Sequence, residues 1–182
     1  INSSIPGTDS LALQSCGTRH KEFMIAMGLM DYTPVEIVEA KGGKPLYPAR
    51  WTDLSAVTIS YGHVISNSPL HLAAGYAALA NGGTYIKPTI IKRTGAPEGT
   101  RVMREDTARY ARQMLRKVVT EGTASFGEVQ GYAVGGKTGT ADKPKPRGGY
   151  YDDKVIATFA SLFPAHNPKY VLVVTLDEPT ET

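Results

Sequence analysis

Apolar residues recur at helical spacing in three stretches of the chain and crowd together as strand-like runs in its last third. The first stretch, "RHKEFMIAMGLMD" from Arg19, sets Phe23, Met24, Met27 and Met30 on one face and predicts a short helix that stops near Gly28. Its methionines read as adaptable core filler rather than a ligand surface. From Thr33 to Asp53 the text is rich in Gly and Pro and predicts irregular loop. "SPLHLAAGYAALANGG" predicts a second helix, with Pro69 in the first turn and Gly82-Gly83 ending it. His71 on that helix reads as a surface or packing residue. "YIKPTIIKR" predicts a short strand that Pro88 keeps at an edge. The longest helix is expected from Arg104 to Glu121, with acidic residues in its first turn and Gly122 at its end. Tyr110, Met114, Leu115 and Val118 form its expected inner stripe, and its Arg and Lys residues a solvated face.

The last third predicts three consecutive antiparallel strands, Tyr132–Thr140, Val155–Phe163 and Tyr170–Leu176. A tight turn at His166-Asn167-Pro168-Lys169 joins the second to the third, and a longer loop with Pro144, Pro146 and Gly148-Gly149 joins the first to the second. The first strand is expected at the sheet edge, facing an open cleft. Helices first and strands afterwards give an α+β fold with an antiparallel sheet.

Composition narrows the function classes more than the fold. At 182 residues, 41% apolar and 20% charged, the chain suits one globular domain or a large piece of one. Twenty Lys and Arg against 17 Asp and Glu leave a charge of +3, scattered along the chain, so no nucleic-acid partner is expected. No apolar run approaches a membrane span. Cys16 is the single cysteine, which excludes a disulfide framework or a thiolate metal site. The start, "INSSIPGTDS", has neither Met nor a signal pattern and reads as the beginning of a piece.

The candidate chemistry lies in "GYAVGGKTGTA", Gly131 to Ala141, where one lysine stands among glycines. A lysine beside glycines at a strand end can be plain turn chemistry. "GYAVGGKT" formally matches a phosphate loop, but that loop needs a helix directly after the threonine. Gly139-Thr140-Ala141-Asp142-Lys143-Pro144 cannot continue as one. A third reading is a strand edge that holds an acylating substrate. Glycines at 135, 136 and 139 would give a ligand backbone room, and Lys137, Thr138 and Thr140 would offer charge and donors to a carboxylate.

"GGKTGTA" resembles the Lys-Thr-Gly box of penicillin-binding proteins and serine β-lactamases. "SYGHVISNSPLHLAAGYAALANGG", "GTA" at 122–124, "GGYYDDKVIATFASLFPA" and "KYVLVVTLDEP" are similar, in this order, to the transpeptidase domain of class B penicillin-binding proteins, the septal cell-division enzymes in particular. The resemblance implies the penicillin-binding-protein/serine β-lactamase-like fold, an antiparallel sheet flanked by helices, here incomplete at both ends. Residues 1–182 would be the C-terminal portion of a single transpeptidase domain. It implies serine acyl transfer that cross-links peptidoglycan stem peptides, inhibition by β-lactams, and no metal or organic cofactor. It also implies a place at the periplasmic face of the cytoplasmic membrane, with division-machinery membrane proteins as partners. By the same resemblance Gly136, Lys137, Thr138, Gly139 and Thr140 line the substrate strand. Lys137 supports the proton network, and the backbone N–H of Thr140 is an oxyanion-hole donor. Tyr150 and Tyr151 either flank the cleft or cap the sheet.

Three features depart from that pattern. No serine in the chain has a lysine three residues later, so the Ser-x-x-Lys nucleophile is absent and is expected upstream. Where the family has Ser-x-Asn, Ser3 aligns with the serine and Ile5 with the asparagine, and isoleucine makes no hydrogen bond. Val64 stands where glycine is common. The rival readings are a non-catalytic penicillin-binding-like scaffold and a serine β-lactamase.

Overall fold

The computed structural model describes residues 3–14 and 17–180; Cys16 lies outside them. Five helices and two sheets follow in the order α1 (Ile5–Gln14), α2 (Gly17–Ala26), α3 (Asp53–Ser60), α4 (Pro69–Ala80), β1 (Thr84–Tyr85), β2 (Thr100–Arg101), α5 (Glu105–Glu121), β3 (Gly135–Pro144), β4 (Tyr150–Phe163) and β5 (Tyr170–Asp177). The α+β class is as expected.

The first half is a helical layer. Met24 on α2 and Met27 and Met30 in the turn after it are buried, as expected, but Phe23 turns outward, and the helix ends at Ala26. Met24, Met30 and Ile59 form one cluster, with Leu29, Tyr47, Trp51 and Ile65 packed against it. The pattern did not single out α3. It starts where the Thr52 hydroxyl accepts the Ser55 N–H at 3.1 Å, and it buries only Ala56 and Ile59. α4 begins at Ser68, whose hydroxyl accepts the His71 N–H while His71 Nδ1 accepts the Ser68 N–H. His71 is a buried packing residue. Its Nε2 lies 2.9 Å from the Asp31 carbonyl, which can only accept, so Nε2 carries the proton and Nδ1 is left as the acceptor.

"YIKPTIIKR" is corrected. Only Thr84–Tyr85 is strand, paired with Thr100–Arg101 in a sheet of its own, and residues 86–94 have no regular structure. The stripe expected on α5 is corrected too. Tyr110 and Met114 are exposed, and the buried positions are Ala108, Val118 and Val119. Two arginines one turn apart take places the hydrophobic pattern reserved for solvent. Arg112 Nη1 donates to Leu79 O at the end of α4 at 2.7 Å, and Arg116 Nη1 donates to Val134 O at 2.7 Å. A guanidinium can satisfy stray carbonyls there that an apolar side chain would leave unpaired.

The large sheet has the order β3-β4-β5, all antiparallel, with β3 at one edge. All three strands overlap the predicted runs, but the first is corrected at its start: Tyr132 to Val134 are turn and irregular chain, and β3 begins at Gly135. The expected β3–β4 loop is shorter than predicted, because β3 runs on to Pro144 and β4 starts at Tyr150. The hairpin closes with Lys145 N–H on Gly149 O at 2.8 Å. Val118, Val119, Ala124 and Val134 form the core beside the sheet, with Phe159 and Phe163 against it.

Candidate active site

β3 is paired with β4 along one edge and packed against α5 at its start, and its other edge has no strand partner. Its ladder to β4 pairs Gly135 with Leu162, Lys137 with Ala160, Thr138 with Phe159 and Thr140 with Ala157. A Cβ at Gly135 would sit 3.2 Å from the Arg116 backbone nitrogen and 3.2 Å from the Ala165 methyl, so α5 touches the strand backbone there. A Cβ at Gly136 would fall 2.7 Å from the Phe159 ring and 2.8 Å from Ala160 O. At Gly139 it would meet nothing within 4 Å. The expectation that all three glycines make room for a ligand is therefore corrected. Gly135 and Gly136 are buried and serve internal packing, and Gly139 alone faces open space.

Lys137 is half-buried, and burial holds its ammonium below the ordinary lysine pKa. The ammonium donates to Thr138 O at 2.6 Å. The Thr138 hydroxyl lies 3.4 Å from that of Thr123, which follows the end of α5. Thr140 is exposed. Lys137 thus sits on an edge strand that continues past Thr140, and the phosphate-loop geometry is excluded because no helix follows the threonine. Thr123 was missed as a site residue; the only signal for it in the sequence was the "GTA" already used for the resemblance.

The remaining predicted residues lie at the margins. Ser3 is exposed. Its neighbour Ser4 opens α1 by accepting the Gly7 N–H, and among the described residues no hydrogen bond runs from Ser3 to Lys137. Tyr150 pairs with Pro144 at the hairpin tip, its ring 4.9 Å from that of His63. The Tyr151 ring lies under the ammoniums of Lys145 and Lys154, at 5.5 and 5.2 Å. Tyr151 thus serves contacts within the hairpin, and Tyr150 ties the hairpin tip to His63. Of the serines, Ser161 is fully buried and donates to Leu172 O, so it offers no nucleophile. A cavity of about 670 Å³ lies between α4, the segment 86–97 and the start of β5, with no residue of the box in its lining.

The edge strand bears a half-buried lysine, two threonine hydroxyls and one unobstructed glycine, with the Thr123 hydroxyl beside it. Residues 1–182 match, over their whole length, the family described as penicillin binding protein transpeptidase domain. The chain belongs to that family. It is 42% identical over 132 residues to a probable peptidoglycan D,D-transpeptidase PenA of Neisseria meningitidis, covering 72% of this chain and 22% of the relative. It is 36% identical to penicillin-binding protein PbpB of Mycolicibacterium smegmatis, covering 97% of this chain and 30% of that protein. Among solved structures, penicillin-binding protein 3 of Mycobacterium tuberculosis complexed with aztreonam superposes with a TM-score of 0.90 at 32% identity, over 99% of this chain and 44% of that one. The transpeptidase domain of penicillin-binding protein 3 from Burkholderia pseudomallei gives 0.89 at 36% identity, over 97% of this chain and 54% of that one. The chain thus spans between about a fifth and a third of the length of these curated relatives.

Proposed function

We propose that this chain is the C-terminal part of a peptidoglycan D,D-transpeptidase domain, supplying the substrate-binding strand and half of its polar surroundings. The observation that carries the reading is the free edge of β3 at Lys137-Thr138-Gly139-Thr140, with Thr123 beside it. An extended stem peptide adds to such an edge through main-chain hydrogen bonds. Its terminal carboxylate accepts from the Thr138 and Thr140 hydroxyls, in the field of the Lys137 ammonium. A serine from the upstream part of the domain attacks the D-Ala-D-Ala carbonyl. The Thr140 N–H donates to the oxygen that becomes anionic, where a fixed dipole stabilises the transition state more than the ground state. The C–N bond to the terminal D-Ala breaks, that amine leaves with a proton, and the amine of a second stem peptide takes the acyl group. A β-lactam follows the same first step and stays on the serine.

Several findings on relatives support this reading: the names of the Neisseria proteins, and the Mycobacterium tuberculosis structures complexed with aztreonam and with ampicillin. The relative from Caulobacter vibrioides, named a probable peptidoglycan D,D-transpeptidase FtsI, supports a cell-division role. A place at the periplasmic face of the cytoplasmic membrane and contacts with division-machinery membrane proteins belong to the same proposal. Among the described residues no helix is long and apolar enough to cross a membrane.

Intact-mass measurement with excess penicillin tests the proposal. This chain alone should show no adduct, because binding groups without an activated serine leave the attack undelivered. The full-length gene product should gain one penicillin per molecule on an upstream serine. An adduct on a serine of this chain, or none on the full-length product, overturns the reading.

A further inference from the structure

The residues that lead into β3 are held by bonds that do not belong to the sheet. Ala133 has a φ of 48°, and its carbonyl accepts the Ala165 N–H at 2.8 Å. The next carbonyl, Val134 O, accepts from Arg116 Nη1 at 2.7 Å. The same guanidinium grips both carboxylate oxygens of Glu128, with Nη2 at 3.0 Å from Oε1. One planar group on α5 therefore ties together the helix, the segment after it and the carbonyl just ahead of Gly135. One turn earlier Arg112 holds α4 in the same way, through Leu79 O. α5 lies against the strand backbone at Gly135 itself, so any tilt of the helix would pass directly to the box.

β3 depends on this anchor because it has a sheet partner on one side only. A ladder on a single edge fixes register but resists rotation about the strand axis weakly. The edge that would receive a substrate strand is the unpaired one.

We propose that Arg116, braced by Glu128, is the positioning residue that sets the height and rotation of β3 for acyl transfer. It touches neither substrate nor reacting atoms. Its role rests on the transpeptidase reading above and specifies which residue outside the box that site requires. A lysine cannot replace it, because one ammonium lacks the planar fork that reaches a carbonyl and both carboxylate oxygens together.

The test uses the full-length gene product and a fluorescent penicillin, resolving pre-acylation binding (K) from the acylation rate (k2). Arg116→Ala should lower k2 at least tenfold and change K less than threefold. Arg116→Lys should fall between it and the wild type, and Glu128→Gln, which keeps the shape and loses the charge, should cost only a few-fold in k2. Methylguanidinium added to Arg116→Ala should restore part of k2, a response that a purely structural lesion does not give. Should Arg116→Ala fail to fold, Arg116→Lys and Glu128→Gln carry the test by the same split. Wild-type k2 in Arg116→Lys and Glu128→Gln, or a loss confined to K, overturns the inference while leaving the transpeptidase reading intact. A wild-type protein that penicillin does not acylate removes the reading and the inference together.

Discussion

At the buried end of β3 a methyl group on Gly136 would strike the Phe159 ring, whereas at Gly139, three residues on, it would meet nothing within 4 Å. The two glycines look alike in the sequence and answer to different neighbours. One lets two layers of the protein close on each other; the other leaves the strand surface bare toward the open edge. The division falls within the box, between a half that packs against the rest of the fold and a half that is left exposed. A glycine-rich motif is thus no direct record of where a substrate lies.

The largest effect expected from this division is on the reaction side. In the full-length product Lys137→Ala should slow penicillin acylation about tenfold to a hundredfold, the worth of a charge-assisted contact of about 1.5–3 kcal/mol. Its thermal midpoint should hardly move. A large loss of stability with normal acylation would put Lys137 on the fold side instead. Next come the glycines themselves. Gly136→Ala should destabilise by about 1–3 kcal/mol through overpacking against a ring and a carbonyl. Gly139→Ala should stay within about 0.5 kcal/mol of the wild type, as surface changes do. Urea unfolding of the two variants decides it, and equal losses would erase the contrast.

The same logic runs in reverse at Val64, a β-branched residue with φ of 61° and 45% of its surface exposed. Here a side chain occupies a conformation that glycine adopts freely. Val64→Gly should therefore gain about 1 kcal/mol, the strain relieved less the added freedom of the unfolded chain. A loss on the same urea curve would mean that its side chain makes contacts that outweigh the strain.

The smallest effect concerns the far end of the sheet. Glu178 receives Lys143 from β3 and Lys154 from β4, both at 2.8 Å, and these bonds hold its carboxyl down at about 2, from an ordinary 4.5. A depressed acid stabilises the fold above its unfolded pKa. That contribution should fade as the pH drops from about 4.5 towards 2. Glu178→Gln should lower the urea midpoint slightly at pH 6, and the gap to the wild type should close near pH 2. Because the cluster is exposed, salt should shrink it as well. A gap that persists at pH 2 would point to shape rather than charge.

β4 and β5 were legible because they are dense in Val, Ile, Leu and Phe and are bounded by Pro, Asn and Gly, whereas β3 carries none of those four residues. Their order followed from the short links between them. The box was legible through its chemistry, since Lys137, Thr138 and Thr140 stand on the expected edge. α5 was misread at Tyr110 and Met114 because periodicity counts an arginine as solvent-facing. Arg112 and Arg116 instead carry their charges to carbonyls of α4 and of the segment before β3. α3 escaped notice because its inward positions are few and small. Thr123 was hidden for another reason: it meets Thr138 across 15 residues of chain, a contact no local pattern encodes.

A strand with one unpaired edge is open to a twin as well. Row on row of unpaired amides along β3 would template the same strand of another molecule, the route by which sheets fuse into fibres. The hairpin that ends it carries Pro144, Pro146, Lys143, Lys145 and Arg147. Lys143 is paired with Asp177 and Glu178, so two copies meeting there would crowd the Lys145 and Arg147 charges together, and Pro146 at the tip has no amide to give. Charge and proline at the tip thus work against such a stack.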